Sequence, residues 1–255
     1  MMLGTKGSKV TRKQRSGFRV TALTTLHREG KAMKRYKGII FDLDGTLLDT
    51  IEDLGTSMNE VLTYYNLPEH PIEEYKMLVG NGMKNLLLSS ISPDQLRRID
   101  TDQAFQMFRE VYGKRYMNAT GPYEGIAELL SWFTARDVKL AVNSNKRDDY
   151  TEALVMKFFA SIPFVRVYGE QTRFPRKPDP AAALEIASAM GEAPEDILYI
   201  GDSEVDMATG KNAGMDTVGV LWGFRSRSEL EASEAVYIVS EPKNIRRLFD
   251  ELYGD

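Results

Sequence analysis

The sequence predicts an α/β protein: a doubly wound parallel sheet with helices on both faces, and a small all-helical block inserted near its start. Three observations carry this. Short apolar runs such as Ile39-Ile40-Phe41 and Ile197-Leu198-Tyr199-Ile200 lack polar alternation, the pattern of strands buried on both faces. From Gly121 onward, such runs alternate with segments of helical period. Between residues 51 and 118, helical spacing follows helical spacing with no strand signal.

Ile39 to Phe41 is the first strand, ended by Asp42-Leu43-Asp44-Gly45-Thr46. Thr50 to Asn66 reads as a helix, because Leu54, Met58, Val61, Leu62 and Tyr65 recur at spacings of three and four. Asn66-Leu67-Pro68 stops it. Four helices are expected next: Ile72 to Val79, Met83 to Ser90, Pro93 to Asp100 and Ala104 to Met117. Gly80-Asn81-Gly82 breaks this block, and Lys84 beyond it could meet an anion or simply face water. Gly121-Pro122-Tyr123-Glu124-Gly125 is a linker, followed by a helix over Ile126 to Ala135. Val138 to Val142 is a strand running into Asn143-Ser144-Asn145-Lys146, Thr151 to Phe159 a helix, and Phe164 to Tyr168 a third strand. Pro180 to Met190 is a helix with Gly191 as its stop. Ile197 to Ile200 is a strand ending in Gly201-Asp202-Ser203-Glu204-Val205-Asp206, with a helix from there through Ala213. Asp216 to Leu221 and Ala235 to Val239 are the last strands, and Asn244 to Tyr253 closes the chain as a helix.

The 255 residues contain no cysteine and two histidines, His27 and His70. Disulfides, a thiol nucleophile and a His- or Cys-rich metal site are therefore excluded. No apolar run is long enough to span a bilayer. The net charge of −4 is uneven: residues 1–37 hold eleven Lys and Arg against Glu29 alone, leaving a net of −14 beyond them. That basic stretch lacks interleaved aromatics and the apolar region of a secretory signal. It is expected to be a disordered extension, with Met33 a plausible start, and no nucleic-acid or membrane partner is expected.

Ligands of doubly wound sheets bind beyond the carboxyl ends of the strands. Four polar clusters fall at or near such ends: Asp42 with Asp44, Ser144 with Asn145, Lys177 in Arg176-Lys177-Pro178-Asp179-Pro180, and Asp202 with Asp206. Each aspartate alone could cap a helix, and Lys177 alone could face solvent. Together they supply carboxylates, a hydroxyl, an amide and an ammonium, a set suited to a hard divalent cation such as Mg2+ and to a phosphate.

In these four motifs, in this order, the chain resembles the haloacid dehalogenase-like superfamily over roughly residues 36–255, and in particular its phosphoglycolate phosphatase-like members. The resemblance implies that Asp42 is a nucleophile carrying an aspartyl-phosphate. Asp44 would serve as acid and base, with its main-chain carbonyl on Mg2+. Ser144, assisted by Asn145 and neighbouring N–H groups, would hold the phosphoryl oxygens. Lys177 would neutralise them, Asp42 and Asp202 would ligate Mg2+, and Asp206 would orient groups from behind. Dehalogenases of this fold lack the second aspartate, so Asp44 favours phosphate ester hydrolysis. The resemblance also implies a core over residues 35–50 and 119–255 with a helical cap over 51–118, whose loop Gly80, Asn81, Gly82 and Lys84 faces the site. Two departures stand out: Glu124 where the family usually has proline, and Asn143 where it often has an apolar residue.

The implied protein is a cytoplasmic monomer or homodimer acting on a small phosphorylated metabolite, phosphoglycolate first. A phosphosugar mutase of the β-phosphoglucomutase type is the nearest alternative. Pyrophosphatase or phosphonate hydrolysis, and a non-catalytic phosphate-binding regulator, are the others.

Overall fold

The computed structural model of the chain describes residues 36–253. The expectation for residues 1–34 lies outside them. Six parallel strands form one sheet in the order β5 (Phe164–Glu170), β4 (Lys139–Arg147), β1 (Gly38–Phe41), β6 (Ile197–Gly201), β7 (Asp216–Val220), β8 (Tyr237–Val239). Gly38 pairs with Lys139 on one side and Ile197 on the other, so β1 is central. β4 and β5 lie to one side of β1, and β6, β7 and β8 to the other. The strand order therefore reverses at the β1–β6 pair, and a crevice opens at their carboxyl ends.

The unbroken apolar runs are explained by burial on both faces. Ile39, Phe41, Leu198 and Ile200 point into one hydrophobic cluster, completed by Leu130, Phe133, Leu248 and Phe249 of α5 (Ile126–Thr134) and α10 (Pro242–Tyr253). Ile40, Ala141 and Tyr199 point into the opposite one, under Ala183, Ile186 and Met190 of α7 (Ala181–Met190). Fully burying one such aliphatic side chain contributes about 1.5–3 kcal/mol.

The inserted block holds α1 (Ile51–Tyr64), a 3-10 helix (Ile72–Met77), α2 (Met83–Ser89), α3 (Pro93–Leu96) and α4 (Thr101–Arg115). It buries its own cluster, with Met58, Leu62, Tyr75, Leu87, Phe108 and Tyr112 at its centre. Asn66 takes φ 54° just beyond α1, the left-handed stop its sequence signals. The chain enters and leaves the block side by side: β2 (Leu48–Asp49) pairs antiparallel with β3 (Gly121–Pro122). Buried Asp53 accepts from the N–H groups of Ala119 and Thr120 and from the Thr120 hydroxyl, at 2.8–3.1 Å.

The structure corrects four boundaries. α3 ends at Leu96, because Asp100 turns its side chain onto the N–H groups of Asp102 and Gln103 and caps α4, which starts three residues earlier than its apolar period. β4 runs on through Asn143-Ser144-Asn145-Lys146 to Arg147, and α6 (Asp148–Phe159) starts three residues early. A further helix, α9 (Arg227–Ala232), was not expected; its signal is the capping box Ser226-Arg227-Ser228-Glu229.

Candidate active site

Asp42 follows β1 directly, its N–H bonded to the Ile200 carbonyl at 2.9 Å. This continues the sheet by one residue and projects the carboxylate into the crevice. Gly45 turns the chain back at φ 81°, where a Cβ would lie 2.4 Å from Asp202 Oδ2. A glycine is required there by both conformation and space. Asp202 and Asp206 follow β6 at the start of α8 (Glu204–Asn212). Ser203 caps that helix; its hydroxyl and N–H both donate to Asp206 Oδ2. Lys177 comes from the loop before α7, and its ammonium lies 2.7 Å from Asp206 Oδ1 and 2.9 Å from Asp42 Oδ1.

Three buried carboxylates, Asp42, Asp202 and Asp206, thus hold one oxygen each within 4.8 Å of the others. Burial, then Asp206, pushes the Asp42 pKa up to about 7, against the pull of Lys177. Burial, then Asp206 and Asp42, pushes Asp202 well up, although the Phe224 N–H and the Thr46 hydroxyl bond to it. Burial alone would lower Lys177; Asp206 and Asp42 more than reverse this. Three carboxylates and one ammonium leave a formal charge of −2 in a buried space, which one divalent cation neutralises. Asp42 Oδ1 is buried, and the Lys177 ammonium meets it at 2.9 Å without the geometry of a hydrogen bond. The oxygen keeps lone-pair capacity that a metal would take up. Asp206 has its oxygens engaged by Lys177 and Ser203.

Asp44 stands apart from this group. Both its oxygens accept from Lys146 Nζ, at 3.0 and 3.1 Å. Lys146 is fully enclosed, with Tyr112 of α4 beneath its ammonium at 4.9 Å. Burial would lower the Lys146 pKa, but Asp44 and Tyr112 carry it above the ordinary lysine value. Lys146 carries no role in the motifs legible in the sequence. Its signal is its place: a cation at the end of a buried strand needs a charged partner, and Asp44 is that partner.

Asp42, Asp44, Lys146 and Asp202 share a cavity with about 40 Å3 of inner volume, which Lys177 and Asp206 support from behind without lining it. Asp42, Asp44, Ser144, Asn145, Lys146, Asp202 and Ser203 form its polar floor; Leu54, Val79, Met83, Leu86 and Phe224 form an apolar roof. Gly80 and Gly82 also line it, whereas Asn81 and Lys84 do not. Lys84 instead points to Asp102 at 3.3 Å. Ser144 lines the floor with its hydroxyl accepting from the Lys146 N–H. Asn145 is committed to structure: its amide donates to the carbonyls of Gly80 and Lys177 and accepts from the Lys177 N–H. It ties the block to the Lys177 loop, so holding that loop in place is a firmer role than touching a ligand. Asn143 is turned away from the cavity and satisfied by the Tyr199 hydroxyl at 3.1 Å, a partner on β6 that offsets its polarity.

Residues 222–225, unremarked in the sequence, pack beside the site, with Phe224 in the cavity lining. Trp222 Nε1 donates to the Thr46 carbonyl at 2.9 Å, and Phe224 N–H donates to Asp202 Oδ2 at 2.8 Å. A Cβ on Gly223 would strike Asp202 at 2.3 Å. Arg225, paired with Glu204, donates to the carbonyls of Lys76 and Val79 in the helical block.

Fold and geometry together define a hydrolase of known lineage. The sequence profile of the haloacid dehalogenase-like hydrolases matches residues 39–220, and the chain belongs to that family. Phosphoglycolate phosphatase 1 of Pseudomonas aeruginosa is 31% identical over 214 residues, 82% of this chain and 77% of that protein. The phosphoglycolate phosphatase of Aquifex aeolicus is 30% identical over 212 residues, 83% of this chain and 96% of that one. A crystal structure of a predicted phosphoglycolate phosphatase from Haemophilus somnus superimposes with a TM-score of 0.77 at 28% identity, over 85% of this chain and 99% of that one. The expected family and fold class are thereby established. No described helix is long and apolar enough to cross a membrane.

Proposed function

We propose that this hydrolase is a Mg2+-dependent phosphatase that cleaves a small phosphomonoester through an aspartyl-phosphate on Asp42, with phosphoglycolate the first substrate to try. The observation that carries this is the pairing of two differently held carboxylates in one cavity. Asp42 offers a buried oxygen free of hydrogen bonds, while Asp44 is held by Lys146.

Asp42 attacks phosphorus, opposite the leaving oxygen, and Asp44, entering this step protonated, gives that oxygen its proton and is left as the carboxylate that Lys146 pairs with. Asp44 then takes a proton from the water that cleaves the acyl phosphate. Ser144 and the N–H groups around it hold the phosphoryl oxygens, and Lys177 offsets their charge as a compact ammonium fixed by Asp206. Asp42, Asp202 and the Asp44 carbonyl are the ligands assigned to Mg2+. When bound, Mg2+ withdraws charge from the phosphoryl group. The donor set is all oxygen, as that ion prefers.

Residues 51–118 act as a cap over a core of 35–50 and 119–255. The separate hydrophobic cluster of the block, and the side-by-side crossings at β2 and β3, support this division. The apolar roof is the wall such a cap would use to exclude water. The narrow inner volume suits a small ester. The proposed enzyme acts in the cytoplasm as a monomer or homodimer. A phosphate-release screen over small phosphate esters with Mg2+ tests the proposal, with the Asp42→Asn variant alongside. Release in the wild type and none in the variant is expected, and equal turnover by both would overturn the mechanism.

A further inference from the structure

Lys84 lines a second cavity, larger than the catalytic one at about 380 Å3. This cleft lies between the helical block and the carboxyl ends of β4 and β5. Lys84 and Arg109 reach it from the block, Arg147 and Arg176 from the core, and Glu170 is the one carboxylate in its lining. Met83 lines both cavities, and the Arg176 guanidinium packs against Gly82, where a Cβ would lie 3.2 Å from it. The Gly82–Met83 turn is thus the wall between the two.

The positive charge of the cleft is only partly spent. Lys84 pairs with Asp102, whose side chain is 84% exposed, and an ion pair so open to water holds little. Arg147 is held more firmly, by both oxygens of Asp149 through two guanidinium N–H groups. Arg176 is engaged by Glu170. Arg109 has no carboxylate partner among the described residues. Its Nη1 reaches Gln106 Oε1 at 3.4 Å, and its Nε is buried with no acceptor. The Nε is shut off from the cleft, so the outer guanidinium N–H groups of Arg109 are what a ligand there meets, and they suit the oxygens of an anion.

We infer that this cleft binds a phosphate-like oxyanion, gripped by Lys84 and Arg109 on one side and by Arg147 and Arg176 on the other. Such a ligand touches both the block and the core and clamps them together. Two sources present this chemistry: a second anionic group on the ester held in the adjoining cavity, which rests on the phosphatase reading, or a free inorganic oxyanion.

Calorimetric titration of the full chain separates them without turnover. The Asp42→Asn protein and the same protein carrying Lys84→Met and Arg109→Met are titrated with short α,ω-alkanediol bisphosphates, the matching monophosphates, and sulfate. If the anion belongs to the substrate, the best bisphosphate binds the parent about 10-fold more tightly than its monophosphate, and the added substitutions erase the difference while leaving monophosphate affinity unchanged. If the anion is free, sulfate occupies two sites in the parent and one in the variant. An unchanged bisphosphate preference together with an unchanged sulfate stoichiometry overturns the inference. Lys84→Met alone, at an exposed position, gives a partial effect if the double substitution compromises folding. Failure of phosphate release in the wild type would count against the phosphatase reading and leave this result standing.

Discussion

Replacing Asp42 by asparagine should stabilise the metal-free protein. Asp42 lies between Asp202 and Asp206, with Lys177 as the nearest opposing charge. Burial and Asp206 raise its pKa from 3.8 to about 7 in the folded state. The folded protein therefore keeps a proton on Asp42 that the unfolded chain releases. Stability from this group is highest below the unfolded value and falls by about 1.4 kcal/mol per pH unit until the folded value is passed. The full difference is about 4 kcal/mol, with roughly 2–4 kcal/mol expected once Lys177 readjusts. Urea unfolding in chelator at pH 8 and pH 5.5 measures it. Asp42→Asn should be the more stable protein at pH 8, with the gap shrinking by roughly half at pH 5.5. Mg2+ should raise the stability of the wild type and do so much less for the variant. A variant no more stable than the wild type at pH 8 in chelator would refute the charge crowding on which the site rests.

Lys146→Met leaves the Asp44 carboxylate without its ion pair; we expect a loss of about 3 kcal/mol in urea unfolding and a fall in kcat larger than any rise in KM. Asp53→Ala removes the acceptor of the Ala119 and Thr120 N–H groups. It should cost about 3 kcal/mol and speed amide exchange at those two residues. Tyr199→Phe orphans the Asn143 amide and should cost about 1–3 kcal/mol, whereas adding Asn143→Val should recover most of it, as a double-mutant cycle by chemical unfolding will show. Gly45→Ala places a methyl 2.4 Å from Asp202 Oδ2 at a positive φ. It should weaken Mg2+ binding, read by calorimetry, far more than Gly191→Ala, whose added Cβ meets open space.

The sheet was legible because burial on both faces writes itself as unbroken apolar runs, and Asp42 and Asp202 were legible because such runs end in them. Helix starts set by side-chain caps were less so. The apolar period of α4 begins at Ala104, but Asp100 decides where the helix begins. Contacts between residues far apart in sequence left no local trace. Lys146 meets Asp44 across 102 positions, and Arg225 meets Val79 across 146. Neither partner could be assigned from spacing alone. Asn145 and Lys84 show the limit from the other side: each lies where a motif put it, yet the side chain of one is consumed by main-chain groups and the other turns to a neighbouring cleft.

The proposed mechanism puts a phosphoryl group on the Asp42 carboxylate. Acid-quenched turnover of an ester labelled in its phosphoryl group, followed by mass analysis of the peptides, tests it most directly. Label is expected on the peptide containing Asp42, more of it in Asp44→Asn where hydrolysis of the intermediate is slowed, and none in Asp42→Asn. Undiminished turnover with no label on that peptide in any of these proteins would contradict it.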